Sequence, residues 1–219
     1  MSAAIVFDLD GTLVDSLADI AAAANRMLAD QGLAPLPQET IRGFVGNGLP
    51  KLVERVMVHC DMDMNRHGKL TQATLRHYTA ATSAQTHPYP GVQEALEALR
   101  QAGMPLGLCT NKPEAPARHI LQALNLEPYF GAVIGGDSLP VRKPDPDHLR
   151  AAFDTLGQHP VRIFVGDSEV DAETAQRANV PFLLFSRGYR KSPVSQIPHH
   201  STFEDFRDLP QLIQSQFAT

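Results

Sequence analysis

The sequence predicts an α/β protein, a doubly wound parallel sheet into which an all-helical segment is inserted. Three observations carry that prediction. Short continuous apolar runs stop abruptly at polar residues, as buried strands of a parallel sheet do. Helical apolar patterns alternate with those runs through the second half of the chain, the signature of parallel strands covered on both faces. One stretch, residues 16–87, breaks the alternation with helical stripes and no strand signal.

Residues 4–7 (Ala-Ile-Val-Phe) form the first run and end at Asp8. In the inserted stretch, Ser16-Leu-Ala-Asp19 has the spacing of a capping box, with Asp where Glu is usual. Leu17, Ile20, Ala21, Ala24, Met27 and Leu28 then make a stripe that Gly32 closes. Leu49, Leu52, Val53, Val56, Met57 and Cys60 make a second stripe, and a third helix is expected over residues 65–81. Tyr89-Pro-Gly91 marks the return. A helix carrying Val92, Ala95, Leu96 and Leu99 follows and ends at Gly103. The remaining strand runs are residues 105–109, 132–134, 161–165 and 181–185, with helices expected over 113–124, 146–156 and 169–179. Asn179 stands where a left-handed cap is wanted, which Asn tolerates better than most residues. The expected division is an α/β domain of residues 1–15 and 88–219 and a helical domain of residues 16–87.

Composition narrows the partners. The 19 Lys and Arg against 24 Asp and Glu give a net charge of -5 with no basic run. That excludes the electrostatic footprint of a nucleic-acid binder. Cys60 and Cys109 both sit in apolar patterns, which argues against a disulfide framework and for a reducing compartment. The apolar start is too short for a secretory signal and lacks its basic residues. No run approaches the ~20 apolar residues a membrane helix needs. A cytoplasmic protein with neither nucleic acid nor membrane as partner is expected. His59, His77 and His87 show no metal-ligand spacing, and His199-His200 is expected in a solvated loop.

Four polar clusters follow four of the strand runs: Asp8-Leu-Asp10-Gly-Thr12, Thr110-Asn111, Lys143-Pro144, and Gly166-Asp167-Ser168 with Asp171. In a parallel sheet the carboxyl ends of all strands share one edge, where open α/β sheets bind ligands. Distant stretches of chain therefore converge on one pocket. Asp8, Asp10, Asp167 and Asp171 concentrate negative charge that calls for a hard cation, and such oxygen ligands suit Mg²⁺. Lys143 and the N–H groups beyond strand ends supply an anion-binding side. Carboxylates, a divalent cation, a lysine and hydroxyl or amide donors are the parts of a phosphoryl-transfer site.

Each cluster alone has a plainer reading. Asp167-Ser168 would start a helix, Thr110 or Asn111 would cap one ahead of Pro113, and Lys143-Pro-Asp-Pro146 would be a turn. Two aspartates flanking one leucine after a buried strand, with Gly-Thr next, resist that account. Gly46-Asn47-Gly48 reads equally as an ordinary loop or as one lying over the pocket, with Arg42 or Lys51 near the far end of a substrate.

Phe7-Asp-Leu-Asp-Gly-Thr-Leu-Val-Asp15 resembles the first motif of the haloacid dehalogenase superfamily, and Thr110-Asn111, Lys143-Pro144 and Gly166-Asp167-Ser168-x-x-Asp171 resemble its other three, in order. The resemblance covers nearly the whole chain. The helical insertion is similar to the cap of that superfamily's first subclass, over a Rossmann-like core. Segments such as Gly46-Asn-Gly48 and Leu108-Cys-Thr-Asn-Lys-Pro113 are similar to the branch that hydrolyses 2-phosphoglycolate. The resemblance implies a phosphatase in which Asp8 attacks phosphorus while Asp10 protonates the leaving oxygen and later activates water. Mg²⁺ would sit on the side chains of Asp8 and Asp167 and the backbone carbonyl of Asp10, with Asp171 close by. Thr110, Asn111 and Lys143 would hold the phosphoryl oxygens. The implied partner is a small phosphorylated metabolite, and the implied assembly a monomer or homodimer. Another small phosphate, pyrophosphate, or a sugar phosphomutase reaction would use the same chemistry. A phospho-accepting receiver domain is the rival outside enzymes, and an idle binding protein a weaker one; the long insertion and the second Asp speak against the receiver, since a switch needs no leaving-group acid.

Overall fold

A computed structural model of the chain describes residues 3–80 and 85–217. Along the chain run β1 (Ala3–Phe7), β2 (Val14–Asp15), α1 (Leu17–Asp30), α2 (Gln38–Arg42), α3 (Leu49–His59), α4 (His67–Ala80) and β3 (His87–Pro88). There follow α5 (Val92–Gln101), β4 (Leu106–Cys109), α6 (Glu114–Ala123), β5 (Phe130–Ile134), α7 (Pro146–Leu156) and β6 (Val161–Gly166). The last elements are α8 (Glu169–Ala178), β7 (Phe182–Phe185), β8 (Ser201–Phe203) and α9 (Leu209–Phe217).

Six strands form one parallel sheet in the order β5-β4-β1-β6-β7-β8. The first strand lies at the centre, flanked by β4 and β6, with Phe7 level with Leu108 and Val165. Strand order reverses at β1, which makes its carboxyl end the topological switch point of a doubly wound sheet. Side chains alternate along β1 as the pleat requires. Ala3, Ile5 and Phe7 pack with Val92, Leu96 and Leu99 of α5, Ile120 and Leu121 of α6, and Leu209 and Ile213 of α9. Ala4 and Val6 face the other way, onto Leu149 and Phe153 of α7 and Ala172 and Ala175 of α8.

The inserted helices add Met27 and Leu28 of α1, Val56 and Met57 of α3 and Leu70 of α4 to the first of these layers, all but Leu70 without any exposure. Each such side chain contributes about 1.5–3 kcal/mol of burial. The two chain passages into and out of the insertion run side by side, Val14 against Pro88 and Asp15 against His87 in an antiparallel pair.

Asn179 takes the left-handed conformation at φ 58°, and Gly32 and Gly103 close their helices at φ 72° and 73°. Two local expectations are corrected. Ser16 makes no capping bond. Its hydroxyl donates to Asp10 Oδ1 at 2.5 Å, and Asp19 instead accepts from the Thr86 N–H (2.9 Å), the Thr86 hydroxyl (2.6 Å) and the Gln85 N–H (3.2 Å). Long-range partners outcompete the local motif. The expected helix over 65–81 starts as a 3₁₀ turn, Met64–Arg66, before α4 begins at His67; Ala81 lies outside the described residues. The structure also has α2, β8 and α9 at residues 38–42, 201–203 and 209–217, where no element is predicted. Among the described residues no helix is long and apolar enough to cross a membrane.

Candidate active site

Asp8 follows β1, Thr110 and Asn111 follow β4, Lys143 precedes α7, and Asp167 and Asp171 span the β6–α8 turn. The switch point gathers them. Lys143 Nζ stands 2.8 Å from Asp8 Oδ1 and 2.7 Å from Asp171 Oδ1. One oxygen each from Asp8, Asp167 and Asp171 lies within 4.8 Å of the others. All four side chains are buried.

Secondary contacts fix each carboxylate. Ser168 caps α8 by accepting from the Asp171 N–H, and Asp171 Oδ2 accepts in return from Ser168 N–H, the Ser168 hydroxyl (2.6 Å) and Asp167 N–H. The helix-start reading of this segment therefore holds together with the site reading. With Oδ1 on Lys143 and Oδ2 in the capping box, Asp171 is a holder; Asp8 and Asp167 keep the freer lone pairs. Asp167 accepts from the Thr12 hydroxyl at 2.7 Å and the Tyr189 N–H at 2.6 Å. Backbone must come very close to allow this. A Cβ at Gly188 would lie 2.3 Å from Asp167 Oδ2, and one at Gly11 2.6 Å from the same atom.

Burial raises the Asp8 carboxyl from 3.8 to about 7, with Lys143 opposing and Asp171 adding to the rise. Burial, then the Asp171 and Asp8 charges, lift Asp167 well above the carboxylate range. Burial alone would lower the Lys143 ammonium, yet Asp171 and Asp8 hold it above the ordinary lysine value. Three carboxylates here meet one buried lysine, which leaves a formal deficit of two positive charges. A hard divalent cation on oxygen ligands matches that deficit and the donor set.

Asp10 lies apart from this cluster. Its carboxylate accepts from Lys112 Nζ at 2.9 Å on both oxygens, and from Ser16 at the start of the insertion. Burial opposes the Lys112 ammonium, but Asp10 and Tyr78 leave it above the ordinary lysine value. Asn111 Nδ2 donates to the carbonyls of Lys143 (3.0 Å) and Gly46 (3.4 Å). Thr110 Oγ1 accepts from the Lys112 N–H at 3.2 Å. Neither caps α6, whose N-cap is Pro113. Asp8, Asp10, Thr110, Asn111, Lys112 and Lys143 line one cleft, roofed by Val45, Gly46, Leu49, Leu52, Leu75 and Tyr78.

Arg42 and Lys51 do not line that cleft: Arg42 donates to the Gly188 carbonyl at 2.7 Å, and Lys51 pairs with Glu54 at 2.6 Å on the surface. Gly46-Asn47-Gly48 does lie over the site, with Arg55 donating to Asn47 Oδ1. Sequence reasoning passed over Lys112, Ser16 and the Gly188-Tyr189 pair. Gly188-Tyr189 follows the fifth strand on the same edge as the other four clusters, so topology alone pointed there.

Fold and site define an α/β protein whose switch-point cleft gathers carboxylates able to hold a hard cation against a buried lysine. The family model described as haloacid dehalogenase-like hydrolase matches residues 5–185. A protein named phosphoglycolate phosphatase from Cereibacter sphaeroides is 47% identical over 216 residues, covering 98% of this chain and 99% of the relative. One of the same name from Rhodobacter capsulatus is 42% identical over 218 residues, covering 98% of each. The crystal structure of a "predicted phosphoglycolate phosphatase" from Haemophilus somnus 129pt superposes with a TM-score of 0.89 at 31% identity, covering 96% of this chain and 97% of that one. The chain belongs to the haloacid dehalogenase-like hydrolase family.

Proposed function

We propose that the chain is a Mg²⁺-dependent phosphatase of small phosphomonoesters, with 2-phosphoglycolate as preferred substrate. The observation that carries this reading is the pairing of Asp8 with Lys143 beside the oxygens of Asp167 and Asp171; the relatives' names support the substrate. The side chains of Asp8 and Asp167 and the backbone carbonyl of Asp10 would hold Mg²⁺, Asp171 standing close by. Bound there, the ion would neutralise charge on the phosphoryl oxygens.

The chain's own groups account for the proton and bond changes. An Asp8 carboxylate oxygen forms the bond to phosphorus as the ester P–O bond breaks, which yields an aspartyl phosphate. Asp10 delivers a proton to the departing oxygen, then removes one from the water that attacks phosphorus and frees Asp8. Lys143 neutralises the phosphoryl group, and Asn111 and Thr110 shape the loop around it. Residues 16–87 act as a cap whose closure excludes bulk water while the intermediate forms.

The test is phosphate release from a panel of small phosphomonoesters with Mg²⁺, wild type beside Asp8→Asn. The expected result is best turnover of 2-phosphoglycolate without any bisphosphate activator, and a loss on the order of 10⁴-fold or more in the mutant. Comparable turnover by the two proteins would refute the assignment of Asp8.

A further inference from the structure

The cleft is apolar along most of its wall, through Ile20, Val45, Leu49, Leu52, Leu75 and Pro116. In such a site a few placed polar groups decide what is bound. Two of them stand side by side. The Tyr78 hydroxyl, from α4, is buried; its oxygen faces the Lys112 ammonium, and its O–H has no acceptor among the described residues. A buried donor in that condition costs stability unless a ligand or water completes it. Lys112 lies beside it, its Nζ 4.4 Å from the centre of the Tyr78 ring. Lys112 spends two contacts on Asp10 and lies against the Tyr78 hydroxyl, and it lines the cleft. The two lysines lining the cleft divide their work: Lys143 is committed to Asp8 and Asp171, whereas Lys112 touches neither.

We infer that Lys112 and Tyr78 together form a specificity subsite that reads a carboxylate at the non-phosphate end of the substrate. The Tyr78 O–H donates to that carboxylate and the adjacent Lys112 ammonium supplies the charge; Lys143, the other lysine lining the cleft, is committed to Asp8 and Asp171. Lys112 comes from the core and Tyr78 from the inserted helices, so the subsite is complete only when both parts of the chain face the cleft. The inference rests on the phosphatase reading and names what selects the substrate within it.

The test compares 2-phosphoglycolate with ethyl phosphate, a near-isostere lacking the carboxylate, for wild type, Lys112→Met, Lys112→Arg and Tyr78→Phe. Because Lys112 also pairs with Asp10, Lys112→Met is expected to lower kcat on both esters, while KM for 2-phosphoglycolate rises roughly 10- to 100-fold relative to KM for ethyl phosphate, the scale of one charged hydrogen bond. Lys112→Arg, which keeps the charge, restores part of the discrimination. Tyr78→Phe removes a hydroxyl whose O–H has no acceptor among the described residues, so folding is preserved; it is expected to raise KM for the carboxylated ester alone, roughly three- to tenfold. Equal changes in KM on both esters would overturn the subsite and leave Lys112 a counter-ion of Asp10. Release from neither ester by wild type would instead overturn the phosphatase reading itself.

Discussion

Asp8 and Asp10 stand two residues apart, each paired with a buried lysine, and their surroundings differ in kind. Asp8 shares Lys143 with Asp171, which is itself locked in the capping box of α8. Every group in that set comes from strand ends or helix starts of the sheet. Asp10 is more exposed, and its partners are Ser16, at the entry to the inserted helices, and Lys112, which lies against Tyr78 of α4. The first carboxylate is held by rigid parts alone. The second is tied to the inserted helices as well as to the core. A nucleophile gains from fixed geometry, whereas a group that gives and retrieves a proton gains from partners it can exchange.

The sharpest way to break this contrast is to remove Asp10 while keeping Asp8. Asp10→Asn is expected to lower kcat for an alkyl phosphate by about 10²–10⁴-fold. With p-nitrophenyl phosphate, whose leaving group needs no proton, the first burst of nitrophenol should be far less affected. Rapid-mixing kinetics decide the matter, and equal losses with both esters would remove Asp10 as the acid.

Lys143→Met strips two buried carboxylates of their common cation. It should lower stability by about 3–5 kcal/mol, the scale of breaking a buried pair, when urea unfolding is followed without Mg²⁺. A loss under 1 kcal/mol would show that this set is not the rigid one.

Gly188→Ala pushes a methyl group toward Asp167. Mg²⁺ affinity should fall roughly 10- to 100-fold, as when the groups that orient a metal ligand are disturbed. Calorimetric titration tests this, and unchanged affinity would dissociate Asp167 from the ion.

The smallest effect concerns pH. In the metal-free protein the folded-state pKa of Asp8 is about 7 against 3.8 for the free side chain. Between those values the folded form binds the extra proton, so the stability that Asp8 contributes falls as pH rises through that window. The stability difference between wild type and Asp8→Asn should therefore shrink or reverse from pH 4 to pH 7 in EDTA, and Mg²⁺ should stabilise wild type more at pH 7 than at pH 5. A difference that is flat with pH would contradict this.

Much of the molecule is legible in the chain. Four inner strands announce themselves as apolar runs because both sides of each are covered, the edge strand β5 leaves a shorter one, and one shared edge brings Asp8, Asn111, Lys143 and Asp167 together by topology. What escapes notice is set by tertiary partners. Ser16 and Asp19 carry a local helix-start pattern, but Asp10 and Thr86 claim their side chains. Lys112 looks like any lysine before a proline until Asp10 is seen opposite it. The strands β2 and β3 are two residues each, too short to leave a periodic trace.

That short ribbon has an architectural consequence. Since Asp15 and His87 are neighbours across an antiparallel pair, the chain leaves for the inserted helices and returns from them through one doorway. Lifting out residues 16–86 would leave two ends already side by side, in reach of a tight turn of about two residues. The insertion is thus a detachable module by geometry, and transplanting the corresponding helices from a relative onto this doorway is a direct route to exchanging what the cleft admits.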